Sequence, residues 1–130
     1  IAFDPSTYVG GILHFMLPDS SLSADKARAR PSMFCDTGCK YFFSELEGLG
    51  AKLPSLKIMI AGGASVIQKS DFFKIGARNE EAIRTFLDNL GLKAQAESVG
   101  GLNNRTVHLS MIDGTVKLKM PNQTKKYSLL

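Results

Sequence analysis

Apolar and polar positions alternate in short blocks along the chain, which predicts short strands interrupted by two main helices. Residues 1–4 are an apolar block that predicts a first strand, and Asp4-Pro5-Ser6 predicts the turn that ends it. Residues 9–17 predict a second, largely apolar strand. Within it, Gly10 and Gly11 predict either a bulge or a close approach of another backbone.

The first predicted helix follows a polar segment. Residues 19–31 lack periodicity and predict a surface loop. Ser32 is a candidate N-cap, Asp36 suits the first turn, and Gly50 suits the position just past the helix end. Apolar residues recur between these limits at helical spacing, at Cys39, Phe42, Phe43, Leu46 and Leu49.

The second helix is predicted after a buried-type strand over residues 57–61, which Gly62-Gly63 ends. Asn79 is its candidate N-cap, with Glu80 and Glu81 in the first turn, and Gly91 closes it. The apolar stripe of this helix contains Ile83, Phe86, Leu87 and Leu90.

The C-terminal part is rich in predicted strands. These cover residues 92–99, 106–111 and 115–119, and Asp113-Gly114 is a hairpin signal between the last two. We find no repeat or linker that would divide residues 1–130, so a single domain is expected. The order of elements predicts an α+β fold, in which two main helices flank layers of mixed or antiparallel sheet.

Composition and charge narrow the functional classes. The 130 residues are 44% hydrophobic and 22% charged, which is typical of a globular domain, and no apolar run is long enough to cross a membrane. The net charge is +4, and a basic tail carries Lys117, Lys119, Lys125 and Lys126. Aromatic residues do not interleave with these lysines, so we expect a solvated tail and no nucleic-acid binding.

The first residues and the number of cysteines indicate the cellular compartment. The chain opens on Ile-Ala-Phe-Asp without Met or a signal peptide, so we expect the natural start to lie upstream. Two cysteines are too few for a disulfide scaffold, and the cytoplasm is therefore the expected compartment.

His14 has two interpretations. In strand alternation it shares a face with Ile12 and Met16, so it is either a core residue with satisfied hydrogen bonds or a general base whose pKa lies near the working pH. His108 lies in a predicted strand near the hairpin, where a structural role is favoured.

Cys35 and Cys39 are one helical turn apart, and three roles are open to them. A zinc site with the histidines matches no common ligand spacing. A hydrolase pairing Cys39 with His14 is a second role. Core packing is favoured, because Cys39 falls on the apolar stripe of its helix.

A glycine-rich segment, Ala61-Gly62-Gly63-Ala64-Ser65, follows the strand at residues 57–61. Backbone N–H groups in such a turn can bind an oxyanion. The segment lacks the Gly-Lys-Ser/Thr ending of a phosphate-binding loop. Gly76 and Gly100-Gly101 are interpreted as turn glycines.

Several of these segments together resemble the CheD family of chemoreceptor glutamine deamidases. Order and spacing agree across nearly the whole chain, and Phe34-Cys35-Asp36-Thr37-Gly38 matches more loosely. The closely matching stretches are residues 9–18 (VGGILHFMLP), 50–53 (GAKL), 57–65 (KIMIAGGAS), 75–79 (IGARN) and Gly100-Gly101 with Arg105.

The resemblance implies a toxin-type Cys–His deamidase fold and hydrolysis of glutamine side chains on methyl-accepting chemotaxis receptors. A Cys thiolate attacks the carboxamide, and His14 matches the position of the catalytic His. The family's nucleophile lies in a Gly-Ser-Cys turn, which would fall upstream of Ile1, so the chain as written is predicted to be inactive. The resemblance implies no metal and no organic cofactor.

A carboxamide substrate needs hydrogen-bond donors where negative charge develops on its oxygen, which predicts where it binds. We expect the substrate amide to lie between His14 and two glycine-rich loops, with contacts from Gly62, Gly63, Ala64, Ser65, Arg78 and Asn79. The alternative function is a non-catalytic regulatory module that binds a CheC-type phosphatase, which requires a surface but no nucleophile.

Overall fold

The structure, a computed structural model, describes residues 1–65 and 74–130. Within these residues the strands are β1 (Ala2–Asp4), β2 (Val9–Gly11), β3 (Lys57–Gly62), β4 (Ala94–Val99), β5 (Thr106–Leu109), β6 (Thr115–Met120) and β7 (Gln123–Ser128). The helices are α1 (Ala24–Ala29), α2 (Cys35–Gly48) and α3 (Ile75–Asn89). Single 3₁₀ turns cover Ser20–Leu22, Pro31–Met33 and Leu53–Ser55.

The strands form two sheets. The first has the order β2-β1-β3-β4, in which β1 is antiparallel to both neighbours and β3 is parallel to β4. Helix α3 lies between β3 and β4 in the chain, as a parallel connection requires. The second sheet is antiparallel, in the order β5-β6-β7. The predicted α+β class with mixed and antiparallel sheets is therefore confirmed.

The first sheet is buried on both faces. Ala2 belongs to a core cluster shared with α2 and α3, whereas its neighbour Phe3 belongs to a second cluster shared with β6. Ile58 and Ile60 point to the first cluster and Met59 to the second, because successive side chains of a strand face opposite sides. The fold therefore has three layers, with the first sheet between the helices and the second sheet.

The hairpin predicted at Asp113-Gly114 is confirmed, since β5 and β6 pair across it. Gly114 has a positive φ of 63°, which favours glycine. A Cβ there would also lie 2.7 Å from the ring of Phe3. The turn glycine is thus a packing residue between the two sheets as well.

The second predicted strand is shorter than expected. Only Val9–Gly11 pair with β1. Residues 12–16 follow them but belong to no strand among the residues that the structure describes. Leu17 makes an isolated bridge to Phe34. A close backbone approach, one of the two predictions for Gly10, is confirmed, because a Cβ there would lie 2.7 Å from the Ala2 carbonyl oxygen.

The loop predicted over residues 19–31 is wrong in part, because it contains α1. This helix buries only Ala27, so it has no apolar stripe that a periodicity test detects. Alanine-rich composition and an exposed ion pair between Asp25 and Arg28, one turn apart, favour it locally.

Both predicted helix starts were displaced. Ser32 lies in a 3₁₀ turn, and Phe34 is the N-cap residue of α2. Asn79 lies inside α3, whose N-cap residue is Lys74, so Glu80 and Glu81 fall beyond the first turn. Neither Phe34 nor Lys74 caps its helix with a side-chain hydrogen bond. The residue types that usually mark a helix start are therefore absent from these two positions.

The predicted basic tail is a β-hairpin. Lys117 and Lys119 lie on β6, and Lys125 and Lys126 on β7. Strand β7 was missed because Gln123–Ser128 contains five exposed residues and only one half-buried apolar side chain, that of Tyr127. In residues 1–65 and 74–130, no helix is both long and apolar enough to span a membrane.

Candidate active site

His14 is exposed, so its interpretation as a core residue is wrong. Exposure alternates along its segment: Ile12 and Met16 are exposed with His14, while Leu13 and Phe15 pack against the helical core. The predicted common face of residues 12, 14 and 16 is confirmed. An imidazole in this position is accessible to a substrate, as a general base must be.

The segment that carries His14 is anchored beyond its C-terminal end. The Met33 carbonyl accepts hydrogen bonds from Met16 N at 2.9 Å and Leu17 N at 3.1 Å, and Cys35 N donates to the Leu17 carbonyl at 2.8 Å. The start of α2 therefore fixes the chain two to three residues after His14.

The same segment is anchored before His14 as well. Strand β2 pairs with β1 up to Gly11, and a Cβ at Gly11 would lie 3.1 Å from the ring of Phe42. Gly11 thus brings the backbone directly onto α2. His14 lies on a short extended stretch between two fixed points.

Helix α3 provides a third contact. The Asn79 side-chain nitrogen donates a hydrogen bond of 2.9 Å to the Met16 carbonyl oxygen. The Asn79 amide oxygen is buried and has no hydrogen-bond partner among the described residues. The predicted role of Asn79 as a helix cap is therefore wrong, and its side chain instead contacts the His14 segment.

Three glycine-containing segments meet at the N-terminal end of α3: Gly62-Gly63, Gly76 and Gly100-Gly101. A Cβ at Gly76 would lie 2.3 Å from the Gly63 carbonyl oxygen, so the two backbones are in contact. Gly100 N donates to the Gly62 carbonyl and Ser65 N to the Gly101 carbonyl, each at 2.9 Å. The two predicted glycine-rich segments are thus adjacent, although the second is the first turn of α3 and not a loop.

The Gly100-Gly101 turn and Arg105 were not predicted to belong to the site. Arg105 holds this turn through bonds from Nη2 to the Gly100 carbonyl at 2.8 Å and from Nε to Ser98 Oγ at 3.0 Å. The spacing of these residues carries no local signal. Only the parallel pairing of β3 with β4 brings them beside Gly62.

A surface groove of about 370 Å³ lies where these segments meet. It is lined by Gly63, Ser65, Lys74, Ala77, Glu80, Gly100, Gly101 and Leu102. Of the predicted substrate contacts, Gly63 and Ser65 line the groove.

The N-terminal end of α3 borders the groove with backbone donors. The first intrahelical bond runs from Arg78 N to the Lys74 carbonyl at 3.0 Å, so the preceding N–H groups have no partner within the helix. The positive end of the helix dipole lies at the same place. Ser65 N already donates to the Gly101 carbonyl, so it is not a free donor for an oxyanion.

The Arg78 charge acts on Asp19, five residues after His14. Hydrogen bonds from Ser21 lower the pKa of Asp19, and the positive charge of Arg78 lowers this pKa further. Arg78 is exposed, as a side chain that contacts a substrate must be. Glu80, two residues further along α3, is instead held by Arg84 at 2.9 Å.

The two cysteines are core residues, as the favoured prediction stated. Cys35 and Cys39 are each 1% exposed, and their sulfur atoms lie 3.9 Å apart. The hydrogen bond to Cys35, together with burial, raises the pKa of the Cys39 thiol. A buried thiol of this kind is a poor nucleophile, so the alternative of a Cys39–His14 hydrolase is not supported.

His108 lies on the exposed face of the second sheet, directly opposite Lys117. It is thus in a different layer from the groove. Within the part of the chain that the structure describes, His, Cys, Asp and Glu side chains form no cluster of three that would hold a metal ion.

The comparisons with known proteins assign the chain to a family. The model of the family described as "CheD chemotactic sensory transduction" matches residues 16–120, which is most of the chain. The chain therefore belongs to the CheD family.

Curated relatives carry more specific names. The chain is 42% identical over 117 residues to a probable chemoreceptor glutamine deamidase CheD 1 of Syntrophus aciditrophicus, covering 90% of this chain and 73% of the relative. It is 40% identical over 116 residues to the chemoreceptor glutamine deamidase CheD of Thermotoga maritima, covering 89% and 71%. A relative of the same name from Halalkalibacterium halodurans is 36% identical over 129 residues, covering 97% and 79%.

Proposed function

We propose that this protein hydrolyses glutamine side-chain amides of chemotaxis receptors to glutamates. The names of its relatives support the reaction and the substrate. The observation that carries the proposal is the exposed His14, held on an anchored segment that α3 links to a glycine-lined groove. We also propose that the protein acts in the cytoplasm, where free cysteines such as Cys35 and Cys39 persist.

The proposed reaction is a Cys–His hydrolysis. A thiolate attacks the carboxamide carbon, His14 accepts the thiol proton, and the same proton leaves with ammonia as the thioester forms. His14 then takes a proton from water, which opens the thioester and releases glutamate and the thiol. Because Cys35 and Cys39 are buried, we propose that the nucleophile is a cysteine that precedes Ile1.

The amide is proposed to bind where Gly62 to Ser65 meet the first turns of α3. Small side chains allow a receptor segment to approach the backbone closely, and helix N–H groups stabilise the negative charge that develops on the amide oxygen. Arg78 is exposed for contact with the receptor.

The test uses the complete gene product and a cytoplasmic fragment of a receptor. Mass spectrometry follows the conversion of glutamine to glutamate. We expect His14→Ala to lower turnover by about 100-fold or more, the usual contribution of a general base. His108→Ala is the matched control, since it removes an exposed histidine from the other sheet. Equal turnover in His14→Ala and wild type would reject the proposal.

A regulatory role is the second proposal. The exposed apolar side chains of Ile12 and Met16 on either side of His14 offer a surface for a protein such as a CheC-type phosphatase. The gene sequence upstream of Ile1 separates the two proposals. A Gly-Ser-Cys there favours the deamidase, and its absence favours the regulator.

A further inference from the structure

One side chain of α3 contacts the backbone that carries His14. Asn79 N δ2 donates to the Met16 carbonyl oxygen across 63 positions of sequence. Met16 lies two residues after His14, and both face the same side of the extended segment. The contact therefore joins the candidate base to the helix whose first turn borders the groove.

The orientation of the Asn79 amide follows from its surroundings. If the amide were turned over, its oxygen would face the Met16 carbonyl oxygen, and two acceptors would be in contact. The nitrogen must therefore face Met16, which leaves the amide oxygen buried without a partner among the residues that the structure describes. Such an arrangement costs free energy, because a buried acceptor has lost its water.

The Asn79 contact also acts where the segment pairs with no strand that the structure describes. Residues 12–16 belong to no strand that the structure describes. Met16 N donates a hydrogen bond to the carbonyl of Met33, which lies just before α2. The bonds to Met33 connect the segment to the residues just before α2. Asn79 gives the segment a direct hydrogen bond to α3.

We propose that Asn79 is a positioning residue that fixes the backbone carrying His14 against α3 and so sets the position of the imidazole. This inference rests on the proposed deamidase function. Asn79 acts through the Met16 carbonyl, and its role is to hold the imidazole where a thiol proton and a departing ammonia meet it. Small displacements of a general base lower the rate strongly while leaving substrate binding nearly unchanged.

The first experiment compares Asn79→Ala with Asn89→Ala in the complete gene product. Asn89 is exposed at the other end of α3, so its variant controls for loss of an asparagine from this helix. We expect Asn79→Ala to lower kcat by about tenfold or more with KM changed by less than about two-fold. Amide hydrogen exchange should become faster at residues 12–17 in this variant only.

These outcomes separate the inference from the proposed function. Unchanged kcat in a folded Asn79→Ala protein would overturn the inference, provided that His14→Ala is inactive. A rise in KM with unchanged kcat would also overturn it, because Asn79 would then contact the substrate instead of positioning His14. If His14→Ala is fully active, the proposed function fails, and hydrogen exchange alone still tests the tie between Asn79 and Met16.

A second variant, Asn79→Asp, tests the need for a donor. An ionised carboxylate facing the Met16 carbonyl repels it, whereas a protonated carboxyl donates a hydrogen bond to it. The ratio of kcat for Asn79→Asp to kcat for wild type should therefore rise as pH falls through the pKa of the new carboxyl. The nearby carbonyl and burial raise that pKa above the usual value of about 4. A ratio independent of pH would overturn the positioning role.

Discussion

Gly63 and Gly76 meet backbone to backbone beside the groove. A Cβ at Gly76 would lie 2.3 Å from the Gly63 carbonyl oxygen, and a Cβ at Gly63 would lie 3.0 Å from the Gly76 carbonyl oxygen. Gly63 also has a positive φ of 66°. This contact sets the first turn of α3 against the end of β3, and it explains why a helix tolerates a glycine in its first turn.

Gly76→Ala should therefore destabilise the protein, although alanine is the better helix former. The added methyl overlaps a backbone atom, and we expect a loss of about 1–3 kcal/mol in unfolding free energy. Urea titration measures it. Gly48→Ala is the matched control, because Gly48 is helical and its Cβ would meet open space. It should be neutral or stabilise by up to about 1 kcal/mol. Equal stability of the two variants would contradict the close contact.

Ala77→Phe tests the groove without disturbing the fold. Ala77 is exposed and lines the groove, so a large ring there should obstruct the substrate. We expect kcat/KM on a receptor fragment to fall by about tenfold or more, or ~1.4 kcal/mol of transition-state stabilisation. Thr85→Phe, at an exposed position further along α3, is the control. If both variants keep wild-type kcat/KM, the substrate binds elsewhere.

Asp4 makes stability depend on pH in the acid range. Burial alone would raise its pKa, but hydrogen bonds from Lys52 and Ser6 outweigh burial and lower the pKa from 3.8 to about 2. The stabilisation from this carboxylate is present above its unfolded pKa of 3.8 and is lost as pH falls through about 2.

Asp4→Asn should remove most of this acid sensitivity. At neutral pH it should cost on the order of 1–3 kcal/mol, because Lys52 N and Ser6 N lose a charged acceptor. Denaturant unfolding of wild type and variant between about pH 4 and pH 2 measures the difference. Asp88→Asn, at an exposed position, should leave the pH dependence as in wild type. Parallel curves for Asp4→Asn and wild type would refute the role of Asp4.

Lys126→Glu should stabilise the second sheet. Lys126 lies directly opposite Lys117, and both side chains are exposed on the same face. Exchanging a like-charge pair for an opposite-charge pair across strands is worth about 0.2–1 kcal/mol. Thermal unfolding at low salt measures it, and high salt should reduce the gain. The control is Lys125→Glu, which pairs across from Leu118 and should show a smaller effect. A loss of stability in Lys126→Glu would contradict the observed register.

The elements that the sequence predicted well are those whose signal is local. The strand at residues 57–61 has four consecutive apolar residues after Lys57. Gly50 and Gly91 have the positive φ values, 103° and 68°, that end their helices. The turn at Asp113-Gly114 depends on neighbouring residues alone. Two elements with weak local patterns were missed. Helix α1 has no apolar stripe. Strand β7 is largely polar because it lies at the edge of a sheet.

The candidate site also has some features that the sequence predicted and others that only the structure revealed. The sequence by itself determined the accessible face of residues 12, 14 and 16, because alternation in an extended chain is a property of the backbone. The family resemblance then singled out His14 on that face. Only the tertiary structure decided that Asn79 bonds to Met16 and that Arg105 holds the Gly100 turn. These contacts join elements far apart in the chain, and no local pattern encodes the packing of α3 and the parallel pairing of β3 with β4 that bring them together.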